Sequence, residues 1–365
     1  MRIAMDLTAL TEKPTGISRV SESVAKAYIR NHPEHEFFLL FRKRVPKRFS
    51  IDPTWQNVKM LFAITRNEPL RLVELPLIMK RLKVDWILCC AFPGPLLLND
   101  KRVVSIVHDL TPFKFGQTMA RDALHSWQLL IKHAIQTNGL ILHDSYTVAR
   151  EVQQMFHSTN SIPIHLGVDI ADHADTSVLE RFSLEKGSYI LSVSTLEPRK
   201  NLRFLLKAYS MLENPSGVKL VLTGARGWRL QDAIGQVNPN LEKNIVFTDY
   251  VTDQELRALY QNARCFVSSS VYEGFGLPVI EAVKNDLPVL ISDIPVYREI
   301  TDCKAIYFDL DDPEHLTKCL ERAITEDLRD TEQFALLKEF AARYTWDNYV
   351  ERLDQVLLGN MKENG

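Results

Sequence analysis

Short apolar runs alternate with amphipathic stretches along most of the chain. In the first half, residues 2–7 (RIAMDL), 36–41 (EFFLLF), 58–62 (VKMLF), 85–90 (DWILCC), 102–108 (RVVSIVH) and 139–143 (GLILH) have the length and apolar density of strands. In the second half the same holds for 189–194, 218–224, 244–248, 264–269, 287–292 and 305–308. Apolar residues return at helical spacing over 16–30, 117–137 and 145–156, and again over 200–212, 253–262, 278–285 and 312–326. Strands without strict in–out alternation bury both faces, so the pattern predicts parallel sheets covered by helices. Two such series predict two doubly wound α/β domains.

The stretch 168–187 is polar, has no strand pattern and ends in Gly187 before a new apolar run. It is the expected linker between an N-terminal domain, 1–167, and a C-terminal domain, 188–345. The segment 346–365 opens with an amphipathic helix over 346–359 that suits packing on either domain. In doubly wound folds ligands lie beyond the carboxyl ends of the strands. Two such domains face to face place the expected ligand site in the cleft between them.

Composition narrows the class. Apolar content of 45% with 25% charged residues is that of a globular chain, not a disordered or fibrous one. No stretch approaches the roughly 20 apolar residues that cross a bilayer, and the opening residues lack the features of an export signal. The five cysteines, Cys89, Cys90, Cys265, Cys303 and Cys319, show no CxxC spacing. They suggest buried thiols in a reducing cytoplasm, with neither a disulfide framework nor a zinc site.

The net charge of −2 is unevenly spread. Residues 1–165 hold 22 Lys and Arg against 14 Asp and Glu, +8, and residues 166–365 hold 22 against 32, −10. A basic first half suits an anionic partner, such as a phospholipid surface or a lipid diphosphate. Its densest part is Arg42, Lys43, Arg44, Lys47 and Arg48, which a solvated loop would explain equally well. Nucleic acid is disfavoured, because no aromatic stacking pattern accompanies the charge.

Two strand-to-helix turns carry the candidate chemistry. The first runs from Ser194 and Thr195 through Glu197, Pro198, Arg199, Lys200 and Asn201 into an apolar helix. Adjacent cations at a helix start meet the positive end of the helix dipole. An anion such as a diphosphate would resolve that conflict; two solvated surface cations are the plain alternative. The second turn is Glu273-Gly274-Phe275-Gly276-Leu277-Pro278, with Glu281 expected in the first turn of the helix that follows. Its glycines let backbone N–H groups approach a ligand. Carboxylates on either side suit sugar hydroxyls, or else simply face solvent and the helix dipole.

Glu273 through Glu281 resembles the E-x7-E motif of retaining glycosyltransferases of the GT-B fold, family 4, and Arg199-Lys200-Asn201 resembles that family's R-K-N phosphate segment. Asp6 with Thr15-Gly16-Ile17, His108-Asp109-Leu110, Ser145 with Thr147, Gly167-Val168-Asp169 and Tyr344-Thr345-Trp346 are similar to further elements of the family, in the same order. The resemblance implies two Rossmann-like domains facing across a cleft, and transfer of a sugar from a nucleotide diphosphate with retention of configuration.

The resemblance also implies roles. Arg199 and Lys200 would neutralise the diphosphate and Glu281 would hold the ribose, with Glu273 on hydroxyls of the transferred sugar. Backbone N–H groups at Phe275, Gly276 and Leu277, beside Gly274 and Thr195, would hold sugar and phosphate oxygens. Gly16 would approach the diphosphate, and the base would rest near Tyr250 and Val251. His108 would lie near sugar and acceptor as a neutral donor oriented by Asp109; a histidine satisfied by backbone is the alternative reading of the residues alone.

Asp309-Leu310-Asp311 is formally a DxD metal pattern, but it precedes a helix as a cap would, and Arg199 and Lys200 are present for the phosphates. No metal or cofactor is expected. The expected donor is GDP-mannose, with UDP-sugars and a non-catalytic sugar-nucleotide-binding subunit as alternatives. The expected acceptor is a saccharide or lipid-linked saccharide of a bacterial surface polysaccharide or lipopolysaccharide. The expected location is cytoplasmic, with peripheral membrane contact through the basic half.

Overall fold

The computed structural model describes residues 1–12, 15–63, 74, 76–78, 80–91, 93–94, 100–119, 121–137, 139–195, 197–212, 217–224 and 243–364. Leu196, within the cation turn, lies outside the described residues. The chain divides into two compact units, one of Met1–Gly167 with Tyr344–Gly365 and one of Val168–Arg343.

The first unit is built on β1 (Arg2–Asp6), β2 (Glu36–Phe41), β3 (Val58–Phe62), β4 (Trp86–Cys89), β5 (Val103–Ile106), β6 (Leu140–His143) and β7 (Ser161–Pro163). They form one parallel sheet ordered β3-β2-β1-β4-β5-β6-β7. The second unit has β8 (Tyr189–Val193), β9 (Lys219–Thr223), β10 (Ile245–Asp249), β11 (Cys265–Ser268), β12 (Val289–Ser292) and β13 (Ile306–Phe308). Their order is β10-β9-β8-β11-β12-β13, again all parallel. Strands such as Trp86–Cys89 and Val289–Ser292 are buried at every residue and apolar apart from Ser292, as expected of parallel strands covered on both faces.

Three boundaries differ from expectation. β7 is a three-residue edge strand, half-buried and lacking an apolar run, so hydrophobic patterning gave no sign of it. The stretch 168–187, expected as a linker, is part of the second unit: Lys284 Nζ donates to the Val168 carbonyl at 3.0 Å, Arg257 to that of Ala171, and Ser177–Arg181 is a short helix. The second unit ends at Arg343, and the helix Trp346–Asn364 packs on the first unit. There Tyr349, Val350, Leu353 and Leu357 are buried, and Asp354 accepts from Tyr28 Oη at 2.7 Å. Gly167 permits this return, since a Cβ there would sit 2.3 Å from the Trp346 nitrogen.

Candidate active site

β8 and β11 are neighbours in the second sheet, so the turns beyond their carboxyl ends are neighbours too. After β8 the chain makes a single 3-10 turn, Pro198–Lys200, and Asn201 adopts the left-handed conformation (φ 51°) before the helix Leu202–Ser210. Asparagine tolerates that conformation better than most residues. Arg199 and Lys200 therefore occupy a turn of their own, not the start of one helix over 200–212. Ser269 Oγ donates to the carbonyls of Lys200 and Asn201 at 2.9 and 3.1 Å, and Val271 N–H donates to that of Arg199 at 3.0 Å. The two turns are thus sewn together by backbone acceptors.

Glu273 is the hub of the assembly. It accepts from Arg199 Nη1 at 2.9 Å, Lys200 Nζ at 2.5 Å and Ser270 Oγ at 2.7 Å, and is only 8% exposed. Arg199 also donates to the Tyr272 carbonyl at 2.7 Å and to Glu197 Oε1 at 2.6 Å. Burial alone would push the Glu273 carboxyl up. Lys200 and Arg199, with hydrogen bonds from Lys200 and Ser270, outweigh it and hold the carboxyl down to about 2. Glu273 is a fixed carboxylate, unsuited to act as a general acid.

The glycine turn follows directly. Gly276 has φ 105°, and a Cβ there would lie 2.7 Å from Tyr297 Cε1. Tyr297 therefore fits beneath the turn only because residue 276 lacks a side chain, while its hydroxyl bonds to Ser268 Oγ at 2.7 Å. Gly274 and Phe275 are buried, and the helix Leu277–Lys284 starts beyond them with Pro278 in its first turn. Glu281 lies in the second turn of that helix, not the first as expected, and accepts from Tyr260 Oη at 2.8 Å. Beyond β10, Tyr250 is exposed and Val251 is buried. Thr195 is exposed beyond β8.

In the first unit, His108 stands just past β5, between the ends of β4 and β6. Its Nδ1 is 2.8 Å from Asp144 Oδ2 and its Nε2 is 2.9 Å from the Cys90 carbonyl. Both partners are acceptors, so a doubly protonated ring satisfies both contacts at once. Burial works against that charge, but Asp144 and the two hydrogen bonds override it and raise the His108 pKa. One expectation needs correction: Asp109 does not orient His108, because Asp109 Oδ1 accepts from Thr111 N–H at 2.8 Å and Asp144 is the carboxylate on the ring. Gly16, exposed at the start of the helix Gly16–Asn31, has open space around it.

The model of the family "Glycosyl transferases group 1" matches residues 179–336, nearly all of the second unit. O-antigen chain mannosyltransferase B of Escherichia coli is 28% identical over 92% of this chain and 93% of its own length. O-antigen chain mannosyltransferase RfbU of Salmonella typhimurium is 27% identical over 70% of this chain and 68% of its own. Among solved structures, HepE of Anabaena in complex with UDP and glucose superposes over 100% of both chains, with a TM-score of 0.74 at 14% identity. The chain is a glycosyltransferase. Its two parallel sheets are those of the GT-B fold, and the match to the group 1 model falls within its second unit.

In each unit, residues beside the candidate groups carry no signal in the sequence. Ser268, Ser269 and Ser270 look there like the polar end of a strand, and Tyr297, from the helix Pro295–Ile300, carries no motif. Asp144 was hidden as the residue before a helix cap, Ser145. The remaining motifs take structural parts. Asp309 Oδ1 accepts from Asp311 N–H at 2.9 Å, and Asp312 caps the helix Pro313–Thr325. Among the described residues, the one His/Cys/Asp/Glu group compact enough to share a metal ion is His32, Glu34 and His35, away from that segment. In the basic stretch, Arg44 pairs with Glu12 and Arg48 with Glu22. No helix among the described residues is long and apolar enough to cross a membrane.

Proposed function

We propose that this glycosyltransferase moves mannose from GDP-mannose, with retention, onto a saccharide or lipid-linked saccharide of a bacterial surface polysaccharide. The observation that carries the reading is the convergence of Arg199, Lys200 and Glu273 at the carboxyl ends of β8 and β11. Two half-buried cations beside a glycine turn suit a diphosphate leaving group, whose growing charge they stabilise. A carboxylate with its pKa near 2 stays ionised and suits the hydroxyls of a bound sugar. The mannosyl donor is favoured by relatives that carry the name mannosyltransferase over most of this chain's length.

In this reading Glu273 positions and polarises. Its charge is already committed to Arg199 and Lys200, which lowers its value as a nucleophile. His108, doubly protonated, has no lone pair with which to take the acceptor proton. The departing phosphate oxygen therefore receives that proton on the face where the acceptor attacks. Arg199 and Lys200 supply the leaving-group charge that a metal would otherwise provide, so the reaction needs none. The basic first half suits an anionic membrane surface beside a lipid-linked acceptor.

The deciding experiment presents GDP-mannose and UDP-glucose separately, with and without a mannosylated lipid-linked acceptor, in the presence of EDTA. Release of GDP on acceptor addition, with an α-linked product from the α-donor, is expected. Turnover of UDP-glucose alone would overturn the donor, and loss of activity in EDTA would overturn metal independence.

A further inference from the structure

We infer that Asp144 is a positioning residue for transfer: by holding Nδ1 of His108 it keeps Nε2 a permanent hydrogen-bond donor at the carboxyl ends of β4, β5 and β6. The inference rests on the reading above that this edge of the first unit serves transfer.

Geometry fixes the direction of every bond. Asp144 is 4% exposed and follows β6 directly, so its carboxylate has little freedom. One oxygen, Oδ2, takes the His108 Nδ1 proton at 2.8 Å, while Oδ1 has no partner among the described residues. Deprotonating His108 would leave this carboxylate buried beside a neutral ring, which is costly. Of the two imidazolium hydrogen bonds the one from Nε2 is the easier to redirect, because its partner is a neutral carbonyl, that of Cys90. A sugar or acceptor oxygen can replace that carbonyl without disturbing Asp144.

The groups around the ring support a fixed positive charge. From β6, His143 is buried and its pKa is lowered to about 4, chiefly by burial, so it stays neutral. Just past β4, the Cys90 thiol is pushed up to about 12 by burial and by Asp6 of β1. From the helix Trp346–Asn364, burial raises the Tyr349 phenol well above its usual value, with Cys90 and Asp144 adding to the shift. Asp109, one residue along, is the second negative charge acting on His108. Among these described groups His108 is the one that can carry positive charge, beside neutral side chains and the carboxylates of Asp144, Asp109 and Asp6.

The test uses full-length protein labelled with [15N]histidine, with His108→Gln to assign the resonance. Two-bond proton–nitrogen correlations should show both His108 nitrogens protonated at pH 7, with titration above the ordinary histidine value of about 6.5. Asp144→Asn should lower that titration by about one pH unit or more. At pH 8 it should then lower kcat about tenfold, with donor KM unchanged, because the protonated fraction falls in proportion. Asp144→Glu should restore part of both. A wild-type His108 that titrates below 6.5, or an Asp144→Asn protein whose His108 titrates as in wild type, overturns the inference. Shifted titration with unchanged kcat leaves the lock in place and overturns the reading that this edge serves transfer.

Discussion

Arg199 Nη1 lies 2.9 Å from Glu273 Oε2, although 74 residues separate them in the chain. The pair closes a buried network in which one carboxylate faces two cations, and removing one member strands the others. Glu273→Gln keeps the shape and removes the charge, leaving Arg199 and Lys200 facing an amide. Breaking a buried ion pair from one side costs about 3–5 kcal/mol. Urea unfolding should show a loss of that order, and turnover should fall at least about 100-fold. Near-normal turnover in this variant would remove Glu273 from the site.

Arg199→Ala and Lys200→Ala test the leaving-group role separately. Each should lower kcat by about 100- to 1,000-fold. The double substitution should do less than the product of the two, because both cations act on Glu273 as well as on the diphosphate. Steady-state rates with saturating donor and acceptor read this directly. Strict additivity would mean that the two cations act independently.

The low pKa of Glu273 sets an acid limit. Its folded value, about 2, is below its ordinary value of 4.5. Its stabilising contribution is therefore present above pH 4.5 and is lost as pH falls from there through 2. The shift corresponds to about 3 kcal/mol. Wild-type stability should drop over that window more steeply than that of Glu273→Gln. Parallel acid-unfolding curves for the two proteins would contradict the assignment.

Much of this was legible in the residues. Apolar runs of four to seven residues located twelve of the strands, because a parallel strand covered by helices is mostly apolar. Arg199, Lys200 and Glu273 stood out because like charges at a turn and glycines beside a carboxylate are locally unfavourable unless something answers them. What stayed hidden depends on through-space partners. Asp144, beside Ser145, looks like part of a helix start, and only the order β5-β6 brings it to His108. Gly224 ends an apolar strand without any motif, yet its φ is 136° and a Cβ there would lie 2.1 Å from the Ser194 carbonyl oxygen. Close approach of two backbones leaves no trace in periodicity.

Gly276→Ala should be severe for two reasons that add. A non-glycine residue at φ 105° is strained, and its Cβ would press on the Tyr297 ring at 2.7 Å. A stability loss of about 1–3 kcal/mol is expected from the backbone alone. The ring is tied to Ser268, and Ile300 Cδ1 would itself lie 3.3 Å from the new Cβ, so the site yields little. Donor KM should rise, because the turn that offers its N–H groups must shift. Gly16→Ala is the control: among the described residues nothing lies within 4 Å of a Cβ at that position, so stability should change little. Differential calorimetry on the three proteins separates the cases.

Glu281 offers the narrowest test of how the donor is held. Its Oε2 accepts from Tyr260 Oη at 2.8 Å, which orients the carboxylate from the helix Asp253–Asn262. A carboxylate oriented in this way binds a ribose diol with less entropy to lose, and the gain appears equally in ground and transition states. Tyr260→Phe removes the hydroxyl and keeps the buried ring packed against Phe266. The expected result is a donor KM raised about fivefold to tenfold with kcat nearly unchanged, since one hydrogen bond to a charged group is worth about 1.5 kcal/mol. The same variant should leave acceptor KM untouched. A fall in kcat with donor KM constant would place Glu281 on the reacting sugar instead of the ribose, and the division of labour between Glu273 and Glu281 would reverse.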